Sequence, residues 1–144
     1  MKTNIFSYFL IFIIGLSANI LFSCKSSFPV SGTLIECNGR LIKPIRNPDI
    51  RPEFPGGRQA MHEYFGNNLT PPTEDLNKKV KGKIRVAFVV TKEGEICDIR
   101  ITSKPKEYFD NEVIRVMKLM PKWTPAIHED EIVDSYYLLD INLN

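Results

Sequence analysis

The clearest alternation of apolar and polar residues lies between Lys81 and Thr102. Apolar residues occupy every second position in two runs, which are Ile84, Val86, Phe88 and Val90, then Cys97, Ile99 and Ile101. This period of two predicts two extended strands, each with one apolar face. Gly94 lies between the runs and can adopt the positive φ of a tight turn, so we predict an antiparallel hairpin.

Two helices and a third strand are predicted around this hairpin. Residues 58–68 carry apolar side chains at helical spacing, and the prolines at 71 and 72 prevent continuation. A second helix covers residues 109–120, with Phe109, Val113, Val116, Met117 and Met120 on one face. After an acidic loop at His128–Glu131, alternation from Val133 to Leu143 predicts the third long strand. Asn38-Gly39 between short apolar runs predicts a small hairpin at Leu34–Ile42, and the pattern leaves open whether this hairpin joins the main sheet.

The connections between these elements predict the topology. A helix that crosses from the second strand of the hairpin to the third strand joins parallel strands and is right-handed. The predicted fold is therefore α+β, with a three-stranded antiparallel sheet of order 2-1-3 and two helices packed on one face. The third strand is then an edge strand, with backbone donors and acceptors free along its outer side.

The N-terminus has the pattern of an export signal. Lys2 precedes a nearly continuous apolar run from Ile5 to Phe22. The residues Leu21-Phe22-Ser23-Cys24 resemble the lipobox of bacterial lipoproteins, which implies cleavage before Cys24 and a lipid anchor on that residue. The alternative is an uncleaved membrane-spanning helix, because about 18 apolar residues approach the length needed to cross a bilayer.

These features divide the chain into a signal peptide at 1–23, a tether with a small hairpin at 24–52, and a domain at 53–144. No acidic residue follows Cys24 at positions 25–27. By resemblance to lipoprotein sorting patterns, this favours an anchor in the outer membrane with the protein facing the periplasm. Of the remaining cysteines, Cys37 and Cys97 could form a disulfide in such an oxidising compartment. Alternatively, Cys97 is a small apolar residue on the core face of the second strand.

Composition and motifs argue against several function classes. The net charge is only +2, from 19 basic and 17 acidic residues, and no basic stripe with aromatic residues indicates nucleic-acid binding. His62 and His128 lie far apart, without the spacing of a zinc helix, so we predict no metal site. No serine elbow or phosphate loop is present, and we predict neither enzymatic activity nor a cofactor.

Four segments together resemble the TonB C-terminal domain, particularly the form found in Bacteroidetes-type envelopes. They are EFPGGRQAMHEYF, GKIRVAFVVTKEGEICDIRI, MPKWTPA and YLLDINL, between Glu53 and Leu143. The resemblance implies binding of an envelope protein or an outer-membrane receptor peptide by strand addition. The implied binding edge is Tyr136, Tyr137, Leu138, Leu139, Asp140, Ile141, Asn142 and Leu143.

The chain departs from the transducer members of this family in three respects. Its N-terminus resembles a cleaved lipoprotein signal, its spacer before Pro55 is short, and Asp140 replaces the usual proline of the last strand. We therefore expect a lipid-anchored, peptide-binding module linked to outer-membrane transport. The alternatives are a membrane-spanning energy transducer and a structural homodimer that exchanges edge strands.

Overall fold

The computed structural model describes residues 32–70, 82–103 and 107–143 of the chain. Two helices and seven strands lie within these ranges. In chain order they are β1 (Ile35–Cys37), β2 (Arg40–Ile42), α1 (Gly57–Asn68), β3 (Gly82–Val90), β4 (Ile96–Ile101), α2 (Glu107–Lys118), β5 (Ala126–His128), β6 (Glu131–Val133) and β7 (Ser135–Leu143). The fold class is α+β, as predicted.

The central sheet contains β4, β3 and β7, with β3 in the middle. β3 pairs antiparallel with β4, and all nine of its residues pair antiparallel with β7. The predicted hairpin is therefore present, and its first strand lies between the other two. The observed order is β4-β3-β7, whereas the predicted order was 2-1-3. The numbers differ because the prediction did not count the β1–β2 and β5–β6 hairpins, which lie outside this sheet.

Both helices pack on the same face of the central sheet. α1 contributes Met61 and Phe65 to the core, and α2 contributes a buried stripe that includes Val113 and Met117. The alternating residues of β3 that face them are Ile84, Val86, Phe88 and Val90, all of which are buried. Burial of these apolar side chains supplies the main stabilisation of the fold, at roughly 1.5–3 kcal/mol each.

The opposite face of the sheet is also covered at one end, which the alternation did not predict. Val89 packs there with Tyr136 of β7 and with apolar residues of the β1–β2 hairpin. Cys37 of β1 is joined by a disulfide to Cys97 of β4, with 5.7 Å between their Cα atoms. The small hairpin is thus attached covalently to an edge strand of the central sheet.

A bulge in β4 determines the position of Cys97. Ala87 pairs with Arg100, but Val89 pairs with Cys97, so two residues of β4, Asp98 and Ile99, lie opposite the single residue Phe88 of β3. Asp98 has a φ of 49° at the bulge. The extra residue turns Cys97 to the face opposite the helices. The prediction that Cys97 lies on the helix-covered core face, with Ile99 and Ile101, is therefore wrong.

The segment predicted as a tether lies against the domain over residues 35–53. Besides the disulfide, Ile45, Ile50 and Glu53 each form backbone bridges to the segment 124–135. The turn of the first hairpin has positive φ at Asn38 and Gly39, as predicted from the Asn-Gly pair. A separate spacer is thus absent from these residues of the described chain.

The predicted acidic loop at His128–Glu131 is instead the turn of a third hairpin. His128 ends β5 and Glu131 begins β6, and only Glu129 and Asp130 lie between the strands. Both turn residues have positive φ, which is uncommon outside glycine and concealed the turn in the sequence. Val133 consequently belongs to β6, and the third long strand begins two residues later, at Ser135.

Two predictions fall on residues outside the described ranges. They are the signal peptide at 1–23 and the lipidation site Cys24. Among the residues that the structure describes, neither helix combines the length and apolar character needed to cross a membrane.

Candidate functional site

β7 is a long strand with regular pairing to β3 from Ser135 to Leu143. In an antiparallel pair, the peptide groups of successive residues point alternately toward the partner strand and away from it. Arg85 of β3 directs its backbone toward β4, since its N–H donates to Ser103 Oγ and its carbonyl accepts from Thr102 N. Its partner Asp140 therefore directs its own peptide groups away from β3.

The same alternation assigns a direction to every residue predicted to form the binding edge. The peptide groups of Tyr137, Leu139, Ile141 and Leu143 point to β3 and hold the sheet together. Those of Leu138, Asp140 and Asn142 point outward. In the described part of the chain no backbone group bonds to these three from outside, and no strand but β3 neighbours β7. We call the stretch Leu138–Asn142 the open edge.

The first residue of the predicted binding edge is already used within the molecule. Tyr136 N donates to the carbonyl of Ile45 at 2.9 Å, and Ile45 N donates to the carbonyl of Asp134 at 2.8 Å. This short parallel bridge covers the start of the outer side of β7. The open edge is therefore shorter than the eight residues predicted from the sequence, because it excludes Tyr136 and Tyr137 at its start and Leu143, which points to β3, at its end.

Asp140 lies at the centre of a charged cluster on the open edge. Its carboxylate accepts hydrogen bonds from Arg85 Nε at 2.7 Å and from Lys83 Nζ at 2.8 Å, both across the β3–β7 pair. These donors lower the pKa of Asp140 to about 2. The sequence resemblance described above implies a proline at the position of Asp140. Because its N–H points outward, a proline there would leave the β3–β7 bonds intact.

A cluster of aromatic rings supports the first half of β7 from the helix side. Trp123 is 3% exposed, and its ring centroid lies 5.2 Å from that of Tyr137 and 5.3 Å from that of Phe88. Phe54 closes the group, with its centroid 5.7 Å from Trp123. Such edge-to-face contacts restrict the rings, so the strand is held in place before any partner arrives.

The two histidines considered as metal ligands lie in different elements, His62 in α1 and His128 at the end of β5. His62 is exposed on α1, and His128 Nδ1 lies 3.1 Å from Asp49 Oδ2 in the third hairpin. Within the described ranges, no three metal-ligating side chains come together. Asp49 also accepts a hydrogen bond from Glu129 N, which lowers the pKa of its carboxyl group.

Comparison with known proteins identifies the domain that carries this edge. The family model described as Gram-negative bacterial TonB protein C-terminal matches residues 68–143, more than half of the chain. The chain belongs to the TonB C-terminal family. Members of this family are interaction modules of the cell envelope and not enzymes, in agreement with the sequence prediction. No curated protein matches the chain.

Two solved structures of TonB C-terminal domains are similar to this chain. The Pseudomonas aeruginosa domain is 24% identical and aligns with a TM-score of 0.40, covering 53% of this chain and 80% of its own. The Helicobacter pylori domain, residues 194–285, is 14% identical with a TM-score of 0.42, covering 60% and 92% respectively. Both were determined in solution by NMR.

Sequence reasoning missed the residues that surround the start of the open edge. Arg46, Arg51 and Arg58 line a cavity beside Tyr136, Tyr137 and Leu138. All three arginines precede the residues matched by the TonB C-terminal model. The signal in the sequence that could have indicated a cationic site was the presence of three arginines within 13 residues of a proline-rich segment. The pattern gave no reason to place an irregular segment beside the last strand.

Proposed function

We propose that this TonB C-terminal domain binds an extended segment of another envelope protein, such as an outer-membrane receptor peptide, by adding it to β7. The open edge carries the proposal. Leu138, Asp140 and Asn142 together present three N–H donors and three carbonyl acceptors at alternate positions of a regularly paired strand. An added strand would satisfy these groups with main-chain hydrogen bonds, while neighbouring side chains provide specificity.

We further propose that the domain acts at a membrane to which it is attached by lipid on Cys24, and that it serves outer-membrane transport. The lipobox-like residues before Cys24 and the lack of acidic residues after it support this anchor and favour the outer membrane. The apolar run Ile5–Phe22 supports the second candidate, a membrane-spanning energy transducer. Mass spectrometry of the mature N-terminus separates the two, since an acylated Cys24 excludes the spanning helix and an intact Met1 excludes the lipoprotein.

Binding at the open edge is tested with a proline at Leu138. This residue is 54% exposed and its N–H points outward, so Leu138→Pro removes one docking donor and leaves the β3–β7 bonds in place. We expect the variant to lose about tenfold in affinity for captured envelope proteins, since a blocked bond and the proline ring both disturb the added strand. A proline at Tyr137 would instead remove a bond to Phe88 within the sheet.

The matched control is Leu138→Ala, which removes the side chain but keeps the N–H. Full-length wild type and both variants, in detergent, are incubated with solubilised envelopes, and the captured proteins are quantified. Circular dichroism establishes that the proline variant is folded. Equal capture by the wild type and Leu138→Pro would contradict binding at this edge. A stable homodimer that dissociates in Leu138→Pro would instead show that a second copy of the chain occupies it.

A further inference from the structure

A cavity of about 520 Å³ lies directly beside the start of the open edge. We call it the arginine cavity. Its lining residues are Arg46, Asn47, Pro48, Arg51, Arg58, Tyr136, Tyr137 and Leu138. The volume falls in the range of sites that hold small ligands or side chains. Since Leu138 belongs both to this wall and to the open edge, a segment paired with the edge would have one end beside the cavity.

The charge of the arginine cavity has one sign. Its lining includes three arginines and no carboxylate. Arg51 and Arg58 are exposed and form no ion pair with any residue that the structure describes. The carboxylate of Asp49, close by in sequence, bonds to His128 and Glu129 instead. Two guanidinium groups are therefore available for an acidic ligand.

A smaller cavity of about 220 Å³ continues the arginine cavity toward α1 and shares Arg51, Arg58 and Tyr137 with it. It reaches Gly57 at the start of α1, where the first turn has no acidic residue and no side-chain cap. The positive end of the helix dipole therefore adds to the arginine charges. Its lining includes one carboxylate, Glu53, and the buried Trp123, whose Nε1 has no hydrogen-bond acceptor among the described residues.

We propose that the arginine cavity binds acidic side chains of the segment that adds to β7. This proposal rests on the proposed strand addition and names the chemistry of the partner. The guanidinium group presents two parallel N–H donors that match both oxygens of a carboxylate, which gives Arg51 and Arg58 selectivity for Asp and Glu. Both arginines precede the residues matched by the TonB C-terminal model.

Synthetic peptides with blocked ends test the proposal by calorimetry on the full chain in detergent. One ten-residue peptide alternates threonine and valine, a second carries three glutamates at its N-terminal end, and a third carries them at its C-terminal end. Matched peptides have glutamine in place of glutamate. A bound strand has one direction, so only one of its ends reaches the cavity. We expect one glutamate peptide, and not the other, to bind about tenfold more tightly than its glutamine match.

The double variant Arg51→Gln/Arg58→Gln should lose this tenfold gain and bind the uncharged peptide as the wild type does. The control Lys92→Gln/Lys118→Gln removes two exposed charges elsewhere and should keep the gain. Equal gains for both glutamate peptides, or a gain that survives in the arginine variant, would overturn the proposal.

The same measurements distinguish failure of this proposal from failure of the proposed strand addition to β7. If the uncharged peptide binds and Leu138→Pro weakens it, strand addition holds whatever the glutamates do. If the glutamate peptides bind but Leu138→Pro has no effect on any peptide, strand addition fails while an anion site remains. Raising the salt concentration should reduce the glutamate gain without changing the binding of the uncharged peptide.

Discussion

The two edges of the central sheet differ in length, regularity and cover. β4 has six residues, contains a bulge at Asp98 and is tied to the β1–β2 hairpin by the disulfide. β7 has nine residues, pairs without interruption and keeps three outward peptide groups free of partners in the described chain. Bulges and covering segments are common ways to prevent a sheet edge from pairing with other chains.

This difference supports the proposal that β7, and not β4, is the edge that binds a partner. An edge that is merely tolerated is short, twisted or covered, as β4 is. An edge that receives a partner has to be regular and accessible, and along Leu138–Asn142 β7 pairs with β3 without a register shift and exposes Leu138 and Asn142. The charged cluster at Asp140 limits unwanted association, because an added strand must accommodate polar side chains there.

Loss of the disulfide should lower the stability more than any other change considered. It should leave peptide binding at β7 unchanged, because the bond lies on the β4 side of the sheet. The bond joins residues 60 positions apart, so its removal frees a long loop in the unfolded chain. We expect Cys37→Ala/Cys97→Ala to lower the free energy of unfolding by about 4 kcal/mol, measured by urea denaturation. The folded variant should bind the uncharged peptide with unchanged affinity.

A reducing agent provides the control for this prediction. Reduction should destabilise the wild type by a similar amount and leave the double variant unaffected. Two outcomes would contradict the proposed division between the edges. One is a disulfide variant as stable as the wild type, and the other is a variant that keeps its fold but loses binding at β7.

Gly94 lies just before β4 and contacts Trp123, whose ring packs against Tyr137 of β7. Its substitution should therefore affect both edges of the central sheet. Gly94 has a φ of 81°, and a Cβ there would overlap the carbonyl oxygen of Trp123, whose ring supports Tyr137. Gly94→Ala should lower the free energy of unfolding by about 3 kcal/mol through backbone strain and displacement of Trp123. It should also weaken peptide binding, as seen by calorimetry on the folded fraction.

Gly66→Ala is the matched control, because a Cβ at Gly66 meets nothing within 4 Å. Alanine inside a helix is favoured over glycine by roughly 0.5–1 kcal/mol, so this variant should be slightly more stable. Destabilisation of equal size in both variants would refute the role assigned to the contact between Gly94 and Trp123.

The smallest effect concerns the pH dependence contributed by Asp140. Its pKa is about 2 in the folded protein, below the ordinary value of 3.8, because Arg85 and Lys83 donate to it. The charged form is therefore favoured by folding, and its contribution to stability is present above pH 3.8 and lost as the pH falls toward 2. Asp140→Asn should be less stable than the wild type at neutral pH, and the difference should shrink toward pH 2.

Urea denaturation at both pH values measures this difference. Asp130→Asn serves as the control, since it removes an equal charge from an exposed turn. A gap between the wild type and Asp140→Asn that stays constant with pH would contradict the role assigned to the cross-strand pairs.

The regular elements of the fold could be predicted from the sequence because they follow simple periods. The alternation in β3 and β7 and the apolar stripe of α2 each report burial on one side. The bulge at Asp98 and the turn at Glu129-Asp130 were missed, because both use positive φ in residues other than glycine. Positive φ in such a residue does not change the hydrophobic pattern and so cannot be predicted from it. The consequence is large at the bulge, because one extra residue in β4 places Cys97 on the opposite face of the sheet.

The candidate site was predictable only in part for a related reason. An edge strand at Tyr136–Leu143 follows from the topology, but its cover depends on where an irregular segment packs. Ile45, Arg51 and Arg58 lie in or next to a proline-rich stretch without periodicity. Their positions are determined by backbone bridges to residues 124–135, which are long-range contacts that no local pattern encodes.

The hydrogen bond from Tyr136 N to the carbonyl of Ile45 limits the length of the docking surface. This bond occupies the first outward position of β7, so the open edge comprises Leu138–Asn142. About five residues remain, or roughly 17 Å of extended chain. Six hydrogen bonds at about 1 kcal/mol each barely offset the loss of freedom on association. The backbone alone would therefore give brief contacts with many sequences, and a lasting complex requires side-chain interactions outside the strand itself.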